Sequence, residues 1–188
     1  MLRLMIIILV IVVALLRGGS LRNFGALKLR WLPLVIASFV LQLLIFTPFT
    51  KAPLIAVAIV PLYILSMTLL TIWVAANWRI HGVVLVAIGL LMNFSAIMVN
   101  DGHMPVSSES ARYAGTIAEF ATGGARIANN SIATDDQVHL WVLTDIIPLP
   151  QGLPFANVFS IGDVLLTIGV GVLCYRTIHR PPDVNRVG

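Results

Sequence analysis

Apolar residues fall into five long blocks, and short polar or basic segments separate them. The blocks cover about residues 2–16, 31–49, 54–76, 82–99 and 160–175. A helix needs roughly 17–25 predominantly apolar residues to cross a bilayer, and the first block can just span if the side chain of Arg3 extends to the membrane surface. The pattern predicts five transmembrane helices that form an all-α bundle, a single membrane domain over residues 1–188.

The composition agrees with a membrane location. Hydrophobic residues make up 59% of the chain and charged residues 11%, whereas soluble domains carry about 25% charged residues. The net charge of +4 does not indicate nucleic-acid binding, because the basic residues flank apolar blocks instead of alternating with aromatic residues. Cys174 is the only cysteine, which excludes an internal disulfide and a metal site built from cysteines.

The distribution of basic residues predicts the orientation, because cytoplasmic loops are enriched in lysine and arginine. With the N-terminus outside, eight of the 12 lysine and arginine residues lie on the cytoplasmic side. They are Arg17, Arg22, Lys28, Arg30, Arg79, Arg176, Arg180 and Arg186. We therefore predict a multi-pass protein of the bacterial cytoplasmic membrane, in contact with the lipid bilayer, with an extracytoplasmic N-terminus and a cytoplasmic C-terminus.

The polar segment of residues 100–159 follows the fourth block and is predicted to form a small extracytoplasmic cap of helices. The spacing of apolar residues from Tyr113 onward predicts an amphipathic helix that ends at the glycine pair 123–124. Thr134 begins a capping-box pattern, which predicts a second short helix that continues to about Leu143.

One candidate functional cluster lies where the fourth block ends. It consists of Asn100, Asp101, Gly102, His103, Met104 and Pro105. As a functional site, Asp101 and His103 would be titratable groups at the outer membrane surface. As a helix end, Asn100 or Gly102 would adopt the left-handed conformation that terminates helices, and Pro105 would prevent continuation. The sequence favours the helix end and leaves the functional site open.

Two acidic residues, Asp145 and Asp163, extend this candidate cluster. Asp163 follows Ser160 by three residues. It is therefore either a functional carboxylate inside the membrane or a first-turn residue of a capped helix, and the second interpretation is favoured. Asp145 closes the polar segment. We predict that the stretch 100–105 and the two acidic residues lie close together at the extracytoplasmic face.

Two amides lie inside apolar blocks and are expected to face other helices. Gln42 belongs to the second block and Asn93 to the fourth. A buried amide requires a hydrogen-bond partner, which a neighbouring helix can supply. A bond between Gln42 and Asn93 is one arrangement that the sequence leaves open.

No metal or cofactor site is predicted. His103 and His139, together with the acidic residues of the polar segment, have the ligand types of a zinc or harder-ion site. The acidic residues in question are Asp101, Asp135, Asp136 and Asp145. No pair among them has a recognised ligand spacing. No histidine lies in the middle of an apolar block, which argues against a haem held at the bilayer centre.

Three motifs occur in order along the chain. They read Asn100-Asp101-Gly102-His103-Met104-Pro105, Asp145-Ile146-Ile147-Pro148-Leu149-Pro150 and Ser160-Ile161-Gly162-Asp163-Val164. As a set they resemble an uncharacterised bacterial family of small five-span membrane proteins, a domain of unknown function with Asn-x-Gly-x-Met-Pro, Asp-Ile-Ile-Pro-x-Pro and Ser-x-Gly-Asp-Val stretches. The resemblance implies fold and topology but no activity. The family often has glycine at the position of Asp101, which weakens the hypothesis that Asp101 is an essential acid.

The sequence predicts a non-catalytic membrane protein, an accessory or assembly subunit that binds a partner subunit in the membrane, because it contains no recognised catalytic motif. One alternative is a small membrane enzyme that acts on a lipid or lipid-linked substrate at the outer surface through Asp163, Asp145 and His103. A second alternative is a transporter or channel component, in which Gln42 and Asn93 line a polar path.

Overall fold

Helices dominate the computed structural model, which describes residues 2–46, 53–117, 127–128, 131–133 and 137–179. In chain order they are α1 (Leu2–Leu16), α2 (Leu32–Phe46), α3 (Pro53–Ala76), α4 (Val83–Val99), the short α5 (Ser108–Tyr113) and α6 (Ile161–Ile178). Two short 3-10 helices cover Leu21–Ala26 and Trp141–Leu143. The long helices coincide with the apolar blocks, so the predicted predominance of helix is confirmed.

Within the described residues, two helices are long and apolar enough to cross a membrane. They are Ala58–Ala76, within α3, and Ile161–Ile178, which is α6. Leu2–Leu16, Leu32–Ile45 and Val83–Val99 are shorter apolar helices. A short helix can still span where flanking side chains extend to the surface or the bilayer thins. Two candidate spans are therefore observed, and a bundle of five transmembrane helices stays a prediction.

Helices α1 and α6 run parallel. Arg3 of α1 contacts Asp163 of α6 at one end of the pair. At the other end, Arg17 Nη1 lies 3.3 Å from the hydroxyl oxygen of Tyr175, and the backbone carbonyl of Ile178 accepts a hydrogen bond from the Ser20 N–H. The N-termini of both helices therefore lie at the same end of the bundle, which we call the cap end. The opposite end is called the loop end.

Helices α2 and α3 run antiparallel and are joined by polar contacts at two levels. The buried Ser38 donates its hydroxyl to the backbone carbonyl of Ser66 at 2.8 Å. At the loop end, the Asn77 side chain accepts from the Arg30 N–H and donates to the Arg30 carbonyl, both at 2.9 Å. The two Asn77 bonds satisfy backbone groups of Arg30, which lies just before the start of α2.

Helices α4 and α6 run antiparallel and approach each other through two pairs of glycines. Gly89 faces Gly162, and Gly82 faces Gly169. A Cβ atom on Gly162 would lie 2.7 Å from the Gly89 carbonyl oxygen, and one on Gly169 would lie 2.8 Å from the Gly82 carbonyl oxygen. Such distances are too short for real Cβ contacts. Glycine thus permits the backbone contact between these helices, as small residues do in membrane bundles.

The described part of the cap contains five short strands in addition to α5 and a 3-10 turn, which the prediction of a helical cap did not include. In the described part of the chain, β1 (Met104–Val106) and β2 (Ile127–Ala128) flank β3 (Ser131–Ala133), and β4 (Ile147–Pro148) pairs with β5 (Val158–Phe159). Pairing is parallel for β1 with β3 and antiparallel elsewhere. Pro105 and Pro148 favour extended backbone, and an edge strand such as β1 tolerates the missing N–H.

The structure describes only the beginning of the first helix predicted for the cap. Helix α5 ends at Tyr113, Gly115 adopts a left-handed conformation with φ +74°, and Ile117 is helical. Residues 118–126, which hold most of the predicted helix, lie outside the described residues. The second predicted helix is reduced to the single turn Trp141–Leu143. Leu140 before it has φ +50°, which no α-helix contains. Residues 134–136 also lie outside the described part.

Candidate functional site

Asp163 lies in the first turn of α6, as the capping pattern predicted. Ser160 is the N-cap residue, and its hydroxyl oxygen accepts a hydrogen bond from the Asp163 N–H at 3.0 Å. Both side chains are buried. The N-terminal end of a helix stabilises a carboxylate through the helix dipole. The local sequence therefore explains why the helix begins here and why an acid is tolerated.

The Asp163 carboxylate joins three helices. Its Oδ1 atom accepts from Arg3 Nη1 at 2.7 Å and from Asn93 Nδ2 at 2.9 Å. Asn93 Oδ1 in turn accepts the Ser160 hydroxyl at 2.8 Å. Asn93 is therefore fully engaged between α4 and α6. We call Arg3, Asn93, Ser160 and Asp163 the helix cluster.

Arg3 is the member of the helix cluster that sequence reasoning missed. Its charge was assigned to the membrane surface, yet it forms an ion pair with Asp163 and lies 5.8 Å from the centre of the Phe159 ring. One signal could have identified it. The predicted topology places the start of the first block and the start of the fifth at the same membrane face, and each carries one charge of opposite sign.

The other predicted amide, Gln42, binds a different helix from the one considered. Its Nε2 atom lies 3.5 Å from Ser66 Oγ of α3, at the outer limit of hydrogen-bond distance. Because Asn93 bonds to Asp163 and Ser160 instead, the bond between Gln42 and Asn93 is not formed. Both amides face the bundle interior, as expected for such groups.

Asp145 is held beside the end of α4 by its backbone. Its N–H donates to the Pro105 carbonyl at 3.0 Å, and its own carbonyl accepts from the Ser107 N–H at 3.1 Å. These bonds form a parallel bridge next to β1. The motif around Pro105 and the motif that begins at Asp145 are thus in direct contact, as the sequence predicted.

The Asp145 side chain points into the protein. The residue as a whole is partly exposed, but its Oδ1 atom is buried and has no hydrogen-bond partner among the described residues. Burial raises the pKa of this carboxyl well above its ordinary value; the nearby Asp163 carboxylate raises it further, and Arg3 lowers it. Asp145 is therefore a carboxyl group that resists ionisation and lies within electrostatic range of the helix cluster.

The stretch 100–105 mainly ends α4. The Asn100 side chain donates to the Ala96 carbonyl at 2.7 Å and exchanges two hydrogen bonds with the backbone of His139. Asp101 and Gly102 have φ of +56° and +81°, the left-handed conformation that terminates helices. The helix-end interpretation of this stretch agrees with the geometry.

The two titratable residues of that stretch do not join the helix cluster. Asp101 is exposed, and His103 Nδ1 lies 3.0 Å from the Asp101 carbonyl in the same turn. Met104 and Pro105 are buried. Within the part of the chain that the structure describes, no group of three or more His, Cys, Asp or Glu residues is placed to hold a metal ion.

A central cavity of about 710 Å³ lies between α2, α3, α4 and α6 and reaches the cap. Its walls are largely apolar and include Met67, Leu70, Leu90 and Leu166. Polar side chains concentrate at its cap end, which is lined by Arg3, Asn93, Thr116, Asp145, Asn157 and Asp163. The cavity therefore combines one polar end with an apolar interior.

Trp73 also lines the central cavity, away from the helix cluster. Its Nε1 atom is buried and has no hydrogen-bond partner within the described ranges. Gln42 lines the same space. Two residues that line the cavity, Trp73 and Asp145, thus each hold a buried polar atom without a hydrogen-bond partner in the described part of the chain.

A second space of about 720 Å³ lies on the other side of the helix cluster, between α1 and α6. Its lining is apolar along Ile6, Val10 and Ile168, and it contacts β4 through Ile147. Arg3 and Asp163 line both this α1–α6 groove and the central cavity. The ion pair is therefore shared by the walls of two spaces.

Comparison with known proteins identifies relatives but no activity. Residues 26–175 match a family model described as a family of unknown function (DUF5317). An uncharacterized protein of Thermotoga maritima is 32% identical over 154 residues, which cover 81% of this chain and 78% of that protein. No solved structure matches the chain. The resemblance to an uncharacterised family is thereby confirmed.

Proposed function

Because the chain belongs to the DUF5317 family of unknown function, we propose its role from the geometry of the central cavity. The protein is a non-catalytic integral membrane protein that binds a small amphiphilic molecule in this cavity. The polar head of the ligand lies at the cap end, and its apolar tail lies between α2, α3, α4 and α6. The role of an accessory or assembly subunit that binds a partner in the membrane stays a prediction from the sequence.

The proposal places the protein in the bacterial cytoplasmic membrane with five spans, the N-terminus and the cap outside and the C-terminus in the cytoplasm. Support comes from the alternation of helix directions, because α1 and α6 are parallel while α4 is antiparallel to α6. Basic residues such as Arg17, Arg30 and Arg79 gather at the loop end, as expected for a cytoplasmic face.

The shape and lining of the cavity carry the proposal. Its volume of about 710 Å³ lies within the range of about 300–1,000 Å³ that is typical of small-molecule sites. A predominantly apolar lining with a few polar groups at one end matches the chemistry of an amphiphile. Relative to water, each buried methylene of the tail would contribute about 0.8 kcal/mol.

The environment of the acidic residues favours binding over catalysis. Asp163 is already engaged by Arg3 and Asn93, so it is poorly placed to abstract a proton from a ligand. His103 faces the carbonyl of Asp101 in an outer turn. The enzyme hypothesis required Asp163, Asp145 and His103 to act together. In the structure His103 lies apart in the outer turn, and Asp163 is already bound to Arg3 and Asn93.

One observation favours a membrane enzyme as the second candidate. The raised pKa of Asp145 makes this carboxyl a better proton donor to a ligand in the central cavity than an ordinary aspartate, as general acids require. Mass spectrometry separates the two candidates, because a binding protein returns its ligand unchanged after incubation and an enzyme returns a product.

Quenching of Trp73 fluorescence tests ligand binding. Trp73 is 8% exposed, whereas Trp31, Trp78 and Trp141 are 57–61% exposed, so replacing those three with phenylalanine leaves Trp73 as the single reporter. The reporter protein in lipid nanodiscs is titrated with a brominated single-chain alcohol of about ten carbons. Transfer of its tail from water to an apolar site contributes about 0.8 kcal/mol for each methylene. We expect saturable quenching of Trp73.

A pair of matched variants locates the bound molecule. Leu70→Phe narrows the central cavity, and Leu43→Phe adds the same group to an α2 residue that is 63% exposed. We expect Leu70→Phe to weaken quenching at least tenfold and Leu43→Phe to leave it unchanged. Equal quenching in both variants, or none in the reporter protein, would overturn the proposal.

A further inference from the structure

We propose that the ligand of the central cavity carries a single positive charge on an amine head group, and that the Asp145 carboxylate is its counter-ion. This inference rests on the proposed binding function and names the chemical class of the ligand. It goes beyond the cavity shape, because the apolar walls would accept a tail with any head group.

The balance of charge at the cap end supports a cation. Arg3, Asp145 and Asp163 all line the central cavity there. Among the described residues that line this end, one guanidinium faces two carboxyl groups, and its Nη1 atom is committed to Asp163 at 2.7 Å. When both acids are ionised, these three side chains carry one negative charge in excess. A proton on Asp145 or a monocationic ligand balances that charge, and the two compete for the same group.

The main chain of Asp145 is held in place at the cap end of the cavity. Backbone bonds to Pro105 and Ser107 hold the residue on both sides and form its bridge with β1. Its Oδ1 atom is buried and has no partner among the described residues. An ammonium N–H donating to this oxygen would satisfy an acceptor that is costly to leave unpaired.

Other head groups fit less well. An anionic head would face two carboxyl groups, and the cation nearest to them is already paired with Asp163. A neutral hydroxyl could donate to Asp145 Oδ1 but would leave the charge of the ionised site unbalanced. The amine satisfies both the acceptor and the charge, and its affinity should therefore exceed that of an alcohol with the same tail.

The inference predicts that binding releases a proton. The charged groups that act on Asp145 are Asp163 of α6 and Arg3 of α1, and its backbone partners Pro105 and Ser107 carry no charge. Burial raises the pKa of Asp145, so below that pKa the amine must displace a proton. Affinity should then rise with pH by up to about tenfold per pH unit and become constant above the pKa.

The test uses the Trp73 reporter protein in nanodiscs of zwitterionic lipid and three brominated probes with the same tail. The head groups are a primary amine, an alcohol and a carboxylate. An amine stays charged between pH 5 and 8, because such groups have a pKa of about 10, so any pH dependence belongs to the protein. We expect the reporter to bind the amine at least tenfold more tightly than the alcohol and to bind the carboxylate most weakly.

Two matched variants assign this preference. Asp145→Asn should reduce the preference for the amine over the alcohol to less than about threefold and abolish the pH dependence, while it still binds the alcohol. Asp101→Asn, which removes an exposed carboxylate at the same end of the bundle, should behave like the reporter protein. Retained alcohol binding shows that the Asp145→Asn protein is folded.

The outcomes separate the inference from the proposed function. Alcohol binding without a preference for the amine, or a preference that survives Asp145→Asn, overturns the inference and leaves the proposed function intact. Absence of quenching by all three probes overturns the proposed function. If Asp145→Asn binds no probe, the reporter protein alone tests the inference. A preference for the amine over the alcohol that grows with pH supports it, and the absence of either overturns it.

Discussion

Asn93 is the residue whose side chain depends most on long-range packing. It donates to Asp163 and accepts from Ser160, so both ends of its amide are used between α4 and α6. A buried network of this kind is stabilising only while every member is satisfied. Its removal would leave the buried Asp163 carboxylate and Ser160 hydroxyl with fewer partners.

Replacement of Asn93 with alanine is expected to lower the free energy of unfolding by about 1–3 kcal/mol, the usual effect of leaving buried polar groups unpaired. Ser95→Ala is the control, because Ser95 is an exposed residue of the same helix and its loss should cost less than about 0.5 kcal/mol. Denaturation in detergent with added SDS measures both variants. An equal loss in the two variants would contradict the role assigned to the helix cluster.

Asp145 predicts a pH dependence of stability. Because burial raises the pKa of Asp145 in the folded protein, the folded state holds this proton more tightly than the unfolded chain. The contribution to stability is therefore fully present below the ordinary pKa of an aspartate and is lost as the pH rises through the raised pKa. Asparagine keeps the shape of the side chain and cannot ionise.

Asp145→Asn is accordingly expected to match the wild-type melting temperature near pH 4 and to exceed it near pH 8. Thermal unfolding followed across this pH range tests the sign. Asp101→Asn, at an exposed position, should show no such crossing. A lower melting temperature of Asp145→Asn at high pH would show that the ionised carboxylate stabilises the fold.

At the scale of elements, the contact between α4 and α6 depends on paired glycines. Gly89 lies in α4 and Gly82 is the N-cap residue of that helix, with φ +88°, while Gly162 and Gly169 both lie in α6 and are seven residues apart. Seven residues correspond to about two helical turns, so the two glycines of α6 lie on one face. The antiparallel arrangement then brings the glycines of the two helices together, and the close approach positions Asn93 beside Ser160 and Asp163.

Two glycines of α6 provide a matched comparison. A Cβ atom on Gly169 would lie 2.7 Å from the Val86 backbone nitrogen, whereas one on Gly171 would lie 3.7 Å from Val10 Cγ2, an ordinary contact. Gly169→Ala is expected to destabilise the protein by about 1–3 kcal/mol through overpacking. Gly171→Ala should be neutral or slightly stabilising, because alanine favours helix. The same SDS titration measures both, and a greater loss for Gly171→Ala would refute the observed helix register.

The cap shows where element prediction was incomplete. The capping pattern at Thr134 predicted a helix to about Leu143, but Gln137 and Leu140 have φ of +51° and +50°, and the described residues form only a 3-10 turn at Trp141–Leu143. Met104-Pro105-Val106 matched the end of a helix and then forms a strand, because β3 supplies a pairing partner from residues 131–133. Local patterns identify where a helix stops, but a strand forms only when a distant segment satisfies its backbone hydrogen bonds.

At the scale of the whole molecule, the proposed topology places the cap and the loop end on opposite sides of the membrane. Cysteine labelling tests it in a Cys174→Ala background, since Cys174 is the only cysteine. Glu109 in α5 and Arg79 in the turn before α4 are both exposed. We expect Glu109→Cys to react with a membrane-impermeant maleimide on intact cells and Arg79→Cys to react only after permeabilisation.

The opposite labelling pattern would invert the orientation, and labelling of both positions on intact cells would refute the five-span arrangement. The prediction rests on the excess of basic residues at the loop end, which the positive-inside rule assigns to the cytoplasm. The helix directions alone fit either orientation, because a bundle can be inverted without changing any internal contact.

The sequence by itself determined the features that depend on neighbouring residues. Apolar length set the long helices, the serine before α6 set its start, and Asn100 with Gly102 set the end of α4. Helix formation and capping depend on interactions between residues that are close in the sequence, so the order of residues predicts them. The contact between the motifs at Pro105 and Asp145 was also predicted, because the topology brings both to one face.

Only the tertiary structure decided which polar groups meet. Arg3 and Asp163 are 160 residues apart and share a hydrogen bond of 2.7 Å, while Gln42 bonds to Ser66 and leaves Asn93 to other partners. Such pairings depend on how each helix is rotated and on the distance between the backbones. The packing of glycines and side chains determines both. For the same reason the central cavity, and Asp145 at its edge, became visible only when the bundle was assembled.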